Sequence, residues 1–311
     1  MEAFNISVVI PVYNEEENLP ELYRRLRCVL EQKLKVTYEI IFVDDGSKDN
    51  SWNIIEDLHN RNKAVKGIKF SRNFGHHIAV TAGIDNASGE VTVIMDADLQ
   101  ARPEDIPTAF EEYKKGYDVI WAVAEKREDG IVAKIGAKIF YTLFNKMAHI
   151  NIPEDIVFLT FSRRAIDAIR TFGEKRRMLA GIYSNIGFRS TTFFVKKDER
   201  FRGEVKYNFK RRLLLAVTGI IGHSKIPLRI SSYCGFVVAV FSVVFALIIF
   251  IRKIFFNISV SGYASLIVAI TFLGGIQLLI MGVLGEYIGV MIDEVKNRPT
   301  YIVGNKLGFE A

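Results

Sequence analysis

The sequence predicts an α/β domain whose mostly parallel sheet is flanked by helices, followed by two transmembrane helices. In the first 205 residues, short runs rich in β-branched residues alternate with segments whose apolar residues recur at helical spacing. Strands that alternate with helices are typical of a parallel sheet covered on both faces. Polar clusters follow several of these strands, and two long uncharged stretches come after residue 229.

The first elements show this alternation. Residues 6–12 form an apolar run rich in β-branched side chains, which predicts a buried strand. A helix is predicted to begin after Asn18, because Pro20 suits a first helical turn and Glu21 lies three residues after the cap. The predicted strands that follow are 37–43, 65–70, 91–95 and 117–123, and the predicted helices are 51–60, 77–86 and 104–115.

Beyond residue 125 the alternation is looser. Helices are predicted at 131–147, 165–171 and 178–185, and a strand is predicted at 188–195. Residues 208–221 form an amphipathic segment that places basic side chains beside leucines, which favours a position in the membrane interface. An ordinary surface helix is the alternative interpretation of the same pattern.

Two stretches, 230–251 and 264–285, each contain 22 residues without a charged side chain. Because about 20 apolar residues cross the hydrocarbon core of a bilayer, both are predicted transmembrane helices; the alternative is two buried helices of a soluble protein. Basic residues lie mainly outside the pair, as is typical of cytoplasmic flanks. They are Lys206, Lys210, Arg211, Arg212, Lys225 and Arg229 before the pair, and Lys296, Arg298 and Lys306 after it.

These features predict four regions. Residues 1–205 form a cytoplasmic domain, 206–229 an interfacial segment, 230–285 the two spans, and 286–311 a cytoplasmic tail. The chain is then an integral membrane protein with both termini in the cytoplasm, and we expect it in a bacterial inner membrane. The formal charge of +6 does not indicate a nucleic-acid partner, since the basic residues concentrate beside the apolar stretches.

Asp96-Ala97-Asp98 follows the predicted strand 91–95. Carboxylates at positions i and i+2 of extended chain project to one side, where both can approach one divalent cation. Mg²⁺ commonly takes one or two carboxylates and completes its shell with phosphate oxygens and water. The pair therefore suits a nucleotide diphosphate, although two acids in a surface turn are also common.

Three more polar clusters follow earlier strands. The carboxylate of Asp45, beside Asp44, can accept hydrogen bonds from a base or a ribose, and Gly46 permits a tight turn. Tyr13 could stack on a base, and Arg72 could meet a phosphate or a sugar. Each cluster alone is equally an ordinary turn or loop, because Asp, Gly and Ser are common turn residues.

Together the four strand ends carry Pro-x-Tyr-Asn-Glu, Asp-Asp-Gly-Ser, Arg-Asn-Phe-Gly and Asp-Ala-Asp-Leu-Gln, in that order. In this the chain resembles the inverting family 2 glycosyltransferases. It is most similar to the polyisoprenyl-phosphate glycosyltransferases, such as the dolichol-phosphate mannose synthase and bactoprenol glucosyltransferase types. The resemblance extends through residues 272–277 and 285–289, and it implies a GT-A-like nucleotide-diphospho-sugar transferase fold.

The resemblance also implies individual roles. In the family, the Asp-x-Asp pair holds Mg²⁺ or Mn²⁺ and the donor diphosphate. The pair matches Asp96 and Asp98 in this chain, and the resemblance implies a catalytic role for Asp98. A basic motif ahead of the membrane segment implies acceptor-side catalytic roles for Arg200 and Lys206, and Arg177 matches a further basic position. From the strand-end patterns and the resemblance together, the candidate donor-binding residues are Pro11, Tyr13, Glu15, Asp44, Asp45, Arg72, Asp96 and Gln100.

The chain departs from the family on the acceptor side. Bacterial members usually carry Gly-Asp-Phe-Arg-Leu before the helix at 165, with the acid as proposed base, whereas Val157 and Leu159 replace the acid and the arginine here. A phosphate acceptor is already largely ionised at neutral pH, since its second pKa is about 6. It therefore needs orientation and charge compensation more than a base. Asp155 is the alternative acid if the loop shifts.

The predicted reaction is transfer of a sugar from a nucleotide-diphosphate donor, UDP-linked, to a polyprenyl phosphate with inversion. A processive polysaccharide synthase is disfavoured because residues 174–178 lack the tryptophan of its Gln-x-x-Arg-Trp motif. A flippase or transporter is disfavoured because the spans contain no charge before Glu286. A non-catalytic membrane-bound nucleotide-sugar sensor or scaffold stays open because of the lost acid, and so does association into a homo-oligomer.

Overall fold

The structure, a computed structural model, separates into two compact units. The predicted helix 131–147, the amphipathic segment 208–221, and the candidates Arg177, Arg200 and Lys206 lie outside the described residues, as does the predicted helix 178–185 apart from residue 183. The described residues are 5–125, 153, 155–172, 183, 186–198, 226–256, 262–296 and 298–309.

The described residues of the first unit form an eight-stranded mixed sheet in the order β7-β5-β6-β4-β1-β2-β3-β8. Pairing is parallel for β1 with β2 and β4, for β2 with β3, and for β5 with β7. It is antiparallel for β6 with β4 and β5, and for β8 with β3. The strands are β1 Ile6–Val12, β2 Tyr38–Asp44, β3 Val65–Phe70, β4 Val91–Met95, β5 Val119–Ala124, β6 Ile156–Ser162, β7 Ser190–Val195 and β8 Val303–Leu307.

Strand β1 is central because β2 and β4 pair with it on opposite sides, both in parallel. All seven residues of β1 are buried, as expected of a run that is covered on both faces. The chain reverses its direction of winding between β1 and β4. In open α/β sheets, ligands bind in the crevice outside the carboxyl ends of the strands at such a point.

Helices cover both faces of the sheet. Leu19, Leu22 and Leu26 of α1 are fully buried against the same core as Ile10 of β1, which confirms the predicted apolar stripe. On the opposite face, a side chain at Gly83 of α3 would meet Val9 at 2.1 Å, so that helix lies close to the sheet. Among the described residues of this unit, the α-helices are α1 Leu19–Arg27, α2 Ser51–Arg61, α3 His76–Asn86, α4 Ile106–Lys114 and α5 Arg163–Thr171.

Two strands were not predicted. Strand β6, whose residues were assigned to the stretch before the helix at 165, pairs antiparallel between β4 and β5. Its sequence, Ile-Val-Phe-Leu-Thr-Phe-Ser, has the β-branched and aromatic residues that favour a strand. Strand β8 lies within the predicted tail 286–311 and owes its conformation to pairing with β3, since Val-Gly-Asn-Lys-Leu alone carries little strand signal.

The second unit contains two long helices, α6 Ile226–Phe256 and α7 Tyr263–Val295, which include both predicted spans. In the part of the chain that the structure describes, one stretch, Phe272–Ile292, is long and apolar enough to cross a membrane by length and composition. Ser231–Phe245 in α6 is apolar but shorter. The helical prediction is therefore confirmed, and two transmembrane spans stay a prediction.

At the amino end of the strands, a buried ionic network ties β2 to its neighbours. The carboxylate of Glu39 is fully buried, and its Oε2 lies 2.7 Å from Nζ of Lys66. Its Oε1 accepts hydrogen bonds from the Ser7 hydroxyl at 2.5 Å and from the Ser88 N–H at 2.6 Å. Burial alone would raise the pKa of Glu39. The Lys66 ammonium and these hydrogen bonds together outweigh burial, so the pKa lies below the ordinary value of a glutamate.

Replacing this carboxylate should destabilise the protein in a pH-dependent way. Glu39→Gln leaves Lys66 without its buried counter-charge, which we expect to cost ~3 kcal/mol of unfolding free energy at pH 7. Because the folded-state pKa is lowered, this contribution is fully present above about pH 4.5 and is lost as the pH falls through the folded-state value. Melting temperatures should show a constant gap to wild type from pH 7 down to about pH 4.5 and a closing gap as the pH falls further.

Glu111→Gln is the matched control, because Glu111 forms an exposed pair with Lys114 at 2.8 Å. We expect a change within about 0.5 kcal/mol there. A constant gap between Glu39→Gln and wild type over the whole pH range would contradict the assigned network.

Candidate functional site

The loops that follow β1 and β2 are joined by reciprocal hydrogen bonds. The N–H of Asn14 donates to the Ser47 hydroxyl at 3.0 Å, and the N–H of Lys48 donates to Oδ1 of Asn14 at 2.8 Å. The N–H of Glu15 donates to the Ser51 hydroxyl at 3.0 Å. Asn14 has a φ of 55°, a left-handed conformation that asparagine tolerates well. Two of the predicted donor-site loops are therefore one connected surface.

The candidates in the first loop differ in accessibility. Pro11 is buried within β1 beside Val43 of β2, so it shapes the strand end and offers no exposed surface. Tyr13 is half-buried at the edge of the sheet. Glu15 is half-buried too, and it accepts a hydrogen bond from the Asn18 amide at 2.6 Å. Of the three, Tyr13 and Glu15 can face a ligand.

Asp44 ends β2 and is fully buried. Its Oδ1 accepts the Ser47 N–H at 2.9 Å, whereas its Oδ2 has no hydrogen-bond partner in the described part of the chain. Leaving a buried carboxylate oxygen unsatisfied is costly. The arrangement therefore suits a ligand that brings an N–H or O–H donor to the end of β2.

Asp45 has a different role from its neighbour. Its Oδ1 accepts the Phe74 N–H at 2.6 Å, and its Oδ2 accepts the Gly75 N–H at 2.9 Å. Burial raises the pKa of this carboxyl group, and the two backbone donors oppose the shift. Asp45 thus fixes the loop after β3, at the point where α3 begins, a structural role that the residue pattern alone does not show.

The turn at Gly46 and the loop after β3 are in direct contact. Gly46 has a φ of 70°, and a Cβ there would lie 2.4 Å from the carbonyl carbon of Arg72 and 2.6 Å from the nitrogen of Asn73. The Arg72 side chain is exposed, and its guanidinium lies 4.3 Å from the centre of the Phe74 ring. The loop thereby presents a cation beside the turn.

The two carboxylates after β4 lie in unlike surroundings. Strand β4 ends at Met95, and the chain then turns, so the expectation of two acids along extended backbone is wrong. The Asp96 side chain is 56% exposed, and its Oδ1 lies 3.7 Å from Nε2 of His76. Asp98 is buried, and its Oδ1 accepts the N–H of Gln100 at 3.1 Å. The turn passes through Leu99, whose φ is 62°.

The donor set at this turn fits a divalent metal that the substrate completes. Among the described residues, no group of three or more histidines, cysteines and acids could hold a metal by itself. Two carboxylates with diphosphate oxygens and water are nevertheless a usual environment for Mg²⁺. Asp96 and Asp98 are the residues that would supply the protein oxygens, and the choice between Mg²⁺ and Mn²⁺ stays a prediction.

Strand β6 brings the acceptor-side positions to the same edge. Met95 pairs with Phe158, so the start of β6 lies beside the end of β4. Val157 is half-buried and packs on the core. Asp155 is exposed with a φ of 54°, and its carbonyl oxygen accepts the Ala124 N–H at 2.9 Å. An acid therefore stands at the edge that the Asp-x-Asp turn occupies.

Comparison with known proteins decides the family. The sequence model of Glycosyl transferase family 2 matches residues 7–169, from β1 to α5. The chain belongs to this family. An uncharacterized glycosyltransferase of Synechocystis sp. is 40% identical over 310 residues, 99% of this chain and 97% of that protein. The SfII prophage-derived bactoprenol glucosyl transferase of Shigella flexneri is 39% identical over 300 residues, 96% of this chain and 97% of that protein. The prophage bactoprenol glucosyl transferase homolog of Escherichia coli is 39% identical over 300 residues, 96% of this chain and 98% of that protein.

This membership confirms the predicted family and enzyme class, so the protein is a glycosyltransferase. The GT-A-like α/β fold with a mostly parallel mixed sheet is confirmed as well. The described structure brings together four groups of predicted residues: those after β1, β2, β3 and β4. It adds Asn14, Ser47 and Ser51, which join the first two loops. Their signal was present as small polar residues in turns, which bond readily to nearby backbone.

Adding a methyl group at Gly46 should separate two loops of the site. In Gly46→Ala, the new Cβ cannot be accommodated without moving the backbone at Arg72, and the positive φ adds strain. We expect the affinity for a nucleoside diphosphate to fall about tenfold, ~1.4 kcal/mol. Isothermal titration of the detergent-purified protein measures this.

Gly304→Ala serves as the control, because its Cβ would meet its nearest neighbours at 3.6 Å, an ordinary contact. Equal affinities of the Gly46→Ala variant and wild type would show that the contact between the two loops does not shape the nucleotide site.

Proposed function

We propose that this glycosyltransferase moves a sugar from a UDP-linked donor to a polyprenyl phosphate, with inversion at the anomeric carbon. The observation that carries the proposal is similarity along nearly the whole chain, second unit included, to proteins named bactoprenol glucosyl transferases. The carboxylates at the point where the sheet reverses its winding support a diphosphate donor there.

On the donor side, the nucleoside lies across the joined loops after β1 and β2. The Oδ2 of Asp44, which has no hydrogen-bond partner among the described residues, accepts a donor group of the base or ribose, and Tyr13 flanks the base. Asp96 and Asp98 would hold the divalent metal, which would supply positive charge to stabilise the diphosphate. Gln100 lies next to the sugar. Arg72, on the adjoining loop, compensates phosphate charge.

On the acceptor side, a phosphate oxygen of the lipid attacks the anomeric carbon. A bond forms between that oxygen and the carbon while the bond to the β-phosphate of the donor breaks, and UDP leaves with the electron pair. Attack from the opposite face gives a β-linked product from an α-linked donor. Because the attacking phosphate is already ionised at neutral pH, the reaction does not require an acid at Val157. Arg177, Arg200 and Lys206 are assigned to charge compensation.

The membrane supplies the acceptor in this scheme. The apolar stretch Phe272–Ile292, the apolar segment Ser231–Phe245 and the basic residues around them support two spans within 230–285. Residues 206–229 lie in the interface, and residues 1–205 and 286–311 lie in the cytoplasm. The reaction then takes place on the cytoplasmic leaflet of a bacterial inner membrane.

A second candidate is a nucleotide-sugar-binding scaffold or sensor with impaired catalysis. One observation favours it: the position of the usual acid is occupied by Val157, which packs on the hydrophobic core. This candidate predicts donor binding without turnover.

The decisive experiment incubates detergent-purified protein and polyprenyl phosphate with a panel of nucleotide sugars, followed by mass spectrometry of the lipid. A polyprenyl-phosphate sugar from a UDP-linked donor supports the proposal and identifies the sugar. Donor binding without a lipid product from any donor would favour the scaffold. The anomeric configuration of the product, determined by NMR, tests inversion.

Asp98→Asn should reduce kcat/KM for the donor at least a hundredfold, because the carboxylate that meets the metal and diphosphate loses its charge. Asp57→Asn is the matched control, since Asp57 forms an exposed pair with Arg61 on α2, away from the Asp-x-Asp turn. Initial rates at saturating acceptor measure both variants. Full turnover by purified Asp98→Asn would exclude the assigned role.

A further inference from the structure

A cluster of charged residues lies beside the Asp-x-Asp turn and joins four chain segments. Arg25 comes from α1, Arg102 from the chain after the turn, Glu104 from the 3₁₀ turn Pro103–Asp105, and Asp198 from the chain after β7. The reaction scheme assigns no role to any of them. Within this cluster Asp198 contacts both arginines, and its backbone reaches the turn itself.

Distances define the cluster. The guanidinium of Arg25 bonds Glu104 twice, with Nε 2.9 Å from Oε1 and Nη2 2.5 Å from Oε2. The Oδ2 atom of Asp198 lies 3.7 Å from Nη2 of Arg25 and 4.0 Å from Nε of Arg102. The N–H of Asp198 donates to the carbonyl of Gln100 at 3.2 Å.

The turn held by these contacts is strained. Leu99 is buried at 2% exposure and has a φ of 62°, a conformation that leucine rarely adopts. Such conformations persist where the surroundings over-determine them, and they cluster at functional sites. The Asp98 carboxylate accepts the N–H of Gln100, and the backbone N–H of Asp198 donates to the Gln100 carbonyl. One carboxylate and one backbone group therefore hold the residue that follows the strained position, and the Asp198 carboxylate acts on this segment through Arg102.

The surroundings of Arg102 explain why the carboxylate of Asp198 is important for this cluster. The Nε atom of Arg102 is buried and makes no hydrogen bond to any residue that the structure describes. Asp198 supplies the carboxylate oxygen found 4.0 Å from that atom. Asp105, whose Oδ2 is likewise buried without a hydrogen bond among the described residues, adds a further acid to the cluster. A change in the charge at position 198 should therefore act on Arg102 and, through the chain, on the turn.

We propose that Asp198 is a positioning residue that holds the Asp-x-Asp turn against the end of β7, so that Asp98 and Gln100 keep their places at the donor diphosphate. The proposal rests on the proposed function, since it assumes that this turn holds the donor. It also gives β7 a role, because Arg200, one of the predicted acceptor-side residues, follows Asp198 two positions later in the sequence.

The small contribution of these ion pairs to folding stability distinguishes a positioning role of Asp198 from a purely structural one. The Asp198 side chain is 44% exposed, and ion pairs at such exposure contribute little to folding stability. A purely structural role therefore predicts that Asp198→Asn loses activity only to the extent that its melting temperature falls. A positioning role predicts an activity loss with the melting temperature unchanged.

The test compares wild type, Asp198→Asn, Arg102→Gln and the double variant, with Asp57→Asn as the exposed-acid control. Each purified full-length protein is assayed for transfer to polyprenyl phosphate and for UDP affinity with Mn²⁺ by titration. Hydrogen exchange is followed in a peptide covering residues 96–102. We expect Asp198→Asn to lower kcat/KM for the donor about tenfold, to weaken UDP and to speed exchange in that peptide.

The double variant should lose no more than about twofold beyond the worse single variant, because both substitutions remove one contact. Asp198→Glu should recover most of the loss, since it restores the carboxylate. Wild-type values for activity, UDP affinity and exchange in Asp198→Asn would overturn the proposal, and so would a fall in melting temperature that parallels the loss of activity. If wild type transfers no sugar to the lipid, the proposed function fails, while UDP affinity and exchange still decide the role of Asp198.

Discussion

Parallel pairing of β1 with β2 on one side and β4 on the other is the constraint on which the rest of the site depends. Parallel strands end at the same edge, so three separate stretches of sequence deliver their polar residues to one crevice. Burial on both faces fixes the register, because a slip by one residue would move every side chain of β1 to the opposite face, where its shape would not match the packed neighbours. The rigid sheet thereby sets the positions of Tyr13, Asp44 and Asp96 before any ligand arrives.

The carboxylates at this edge divide into two kinds. Both carboxylate oxygens of Asp45 accept hydrogen bonds from the backbone of Phe74 and Gly75, and this fixes a neighbouring loop. Asp44 keeps one buried oxygen without a protein partner among the described residues. Of these adjacent acids, Asp45 supports a loop, whereas Asp44 is the one that we propose contacts the ligand. The difference arises from their directions at the strand end, where alternate side chains point to opposite faces.

The antiparallel strand β6 carries the position at which family members usually have an acid, and it determines where that position lies in this chain. Insertion of β6 between β4 and β5 places its first residues at the carboxyl edge, so the stretch from Asp155 to Val157 adjoins the Asp-x-Asp turn. A valine that packs on the core has taken the place of an acid. An acceptor that carries its own negative charge tolerates that replacement, whereas a hydroxyl acceptor would not.

The sequence by itself determined the alternation of strands and helices, the apolar stretches of α6 and α7, the family and the Asp-x-Asp pair, because these depend on local periodicity and on residues adjacent in the chain. It did not determine β8, whose order comes from pairing with β3 across more than two hundred residues. Nor did it determine that Asp45 is a support, or that Asp198 meets Arg102 beside the turn. Those facts depend on contacts between distant segments, and only the tertiary structure decides which distant segments meet.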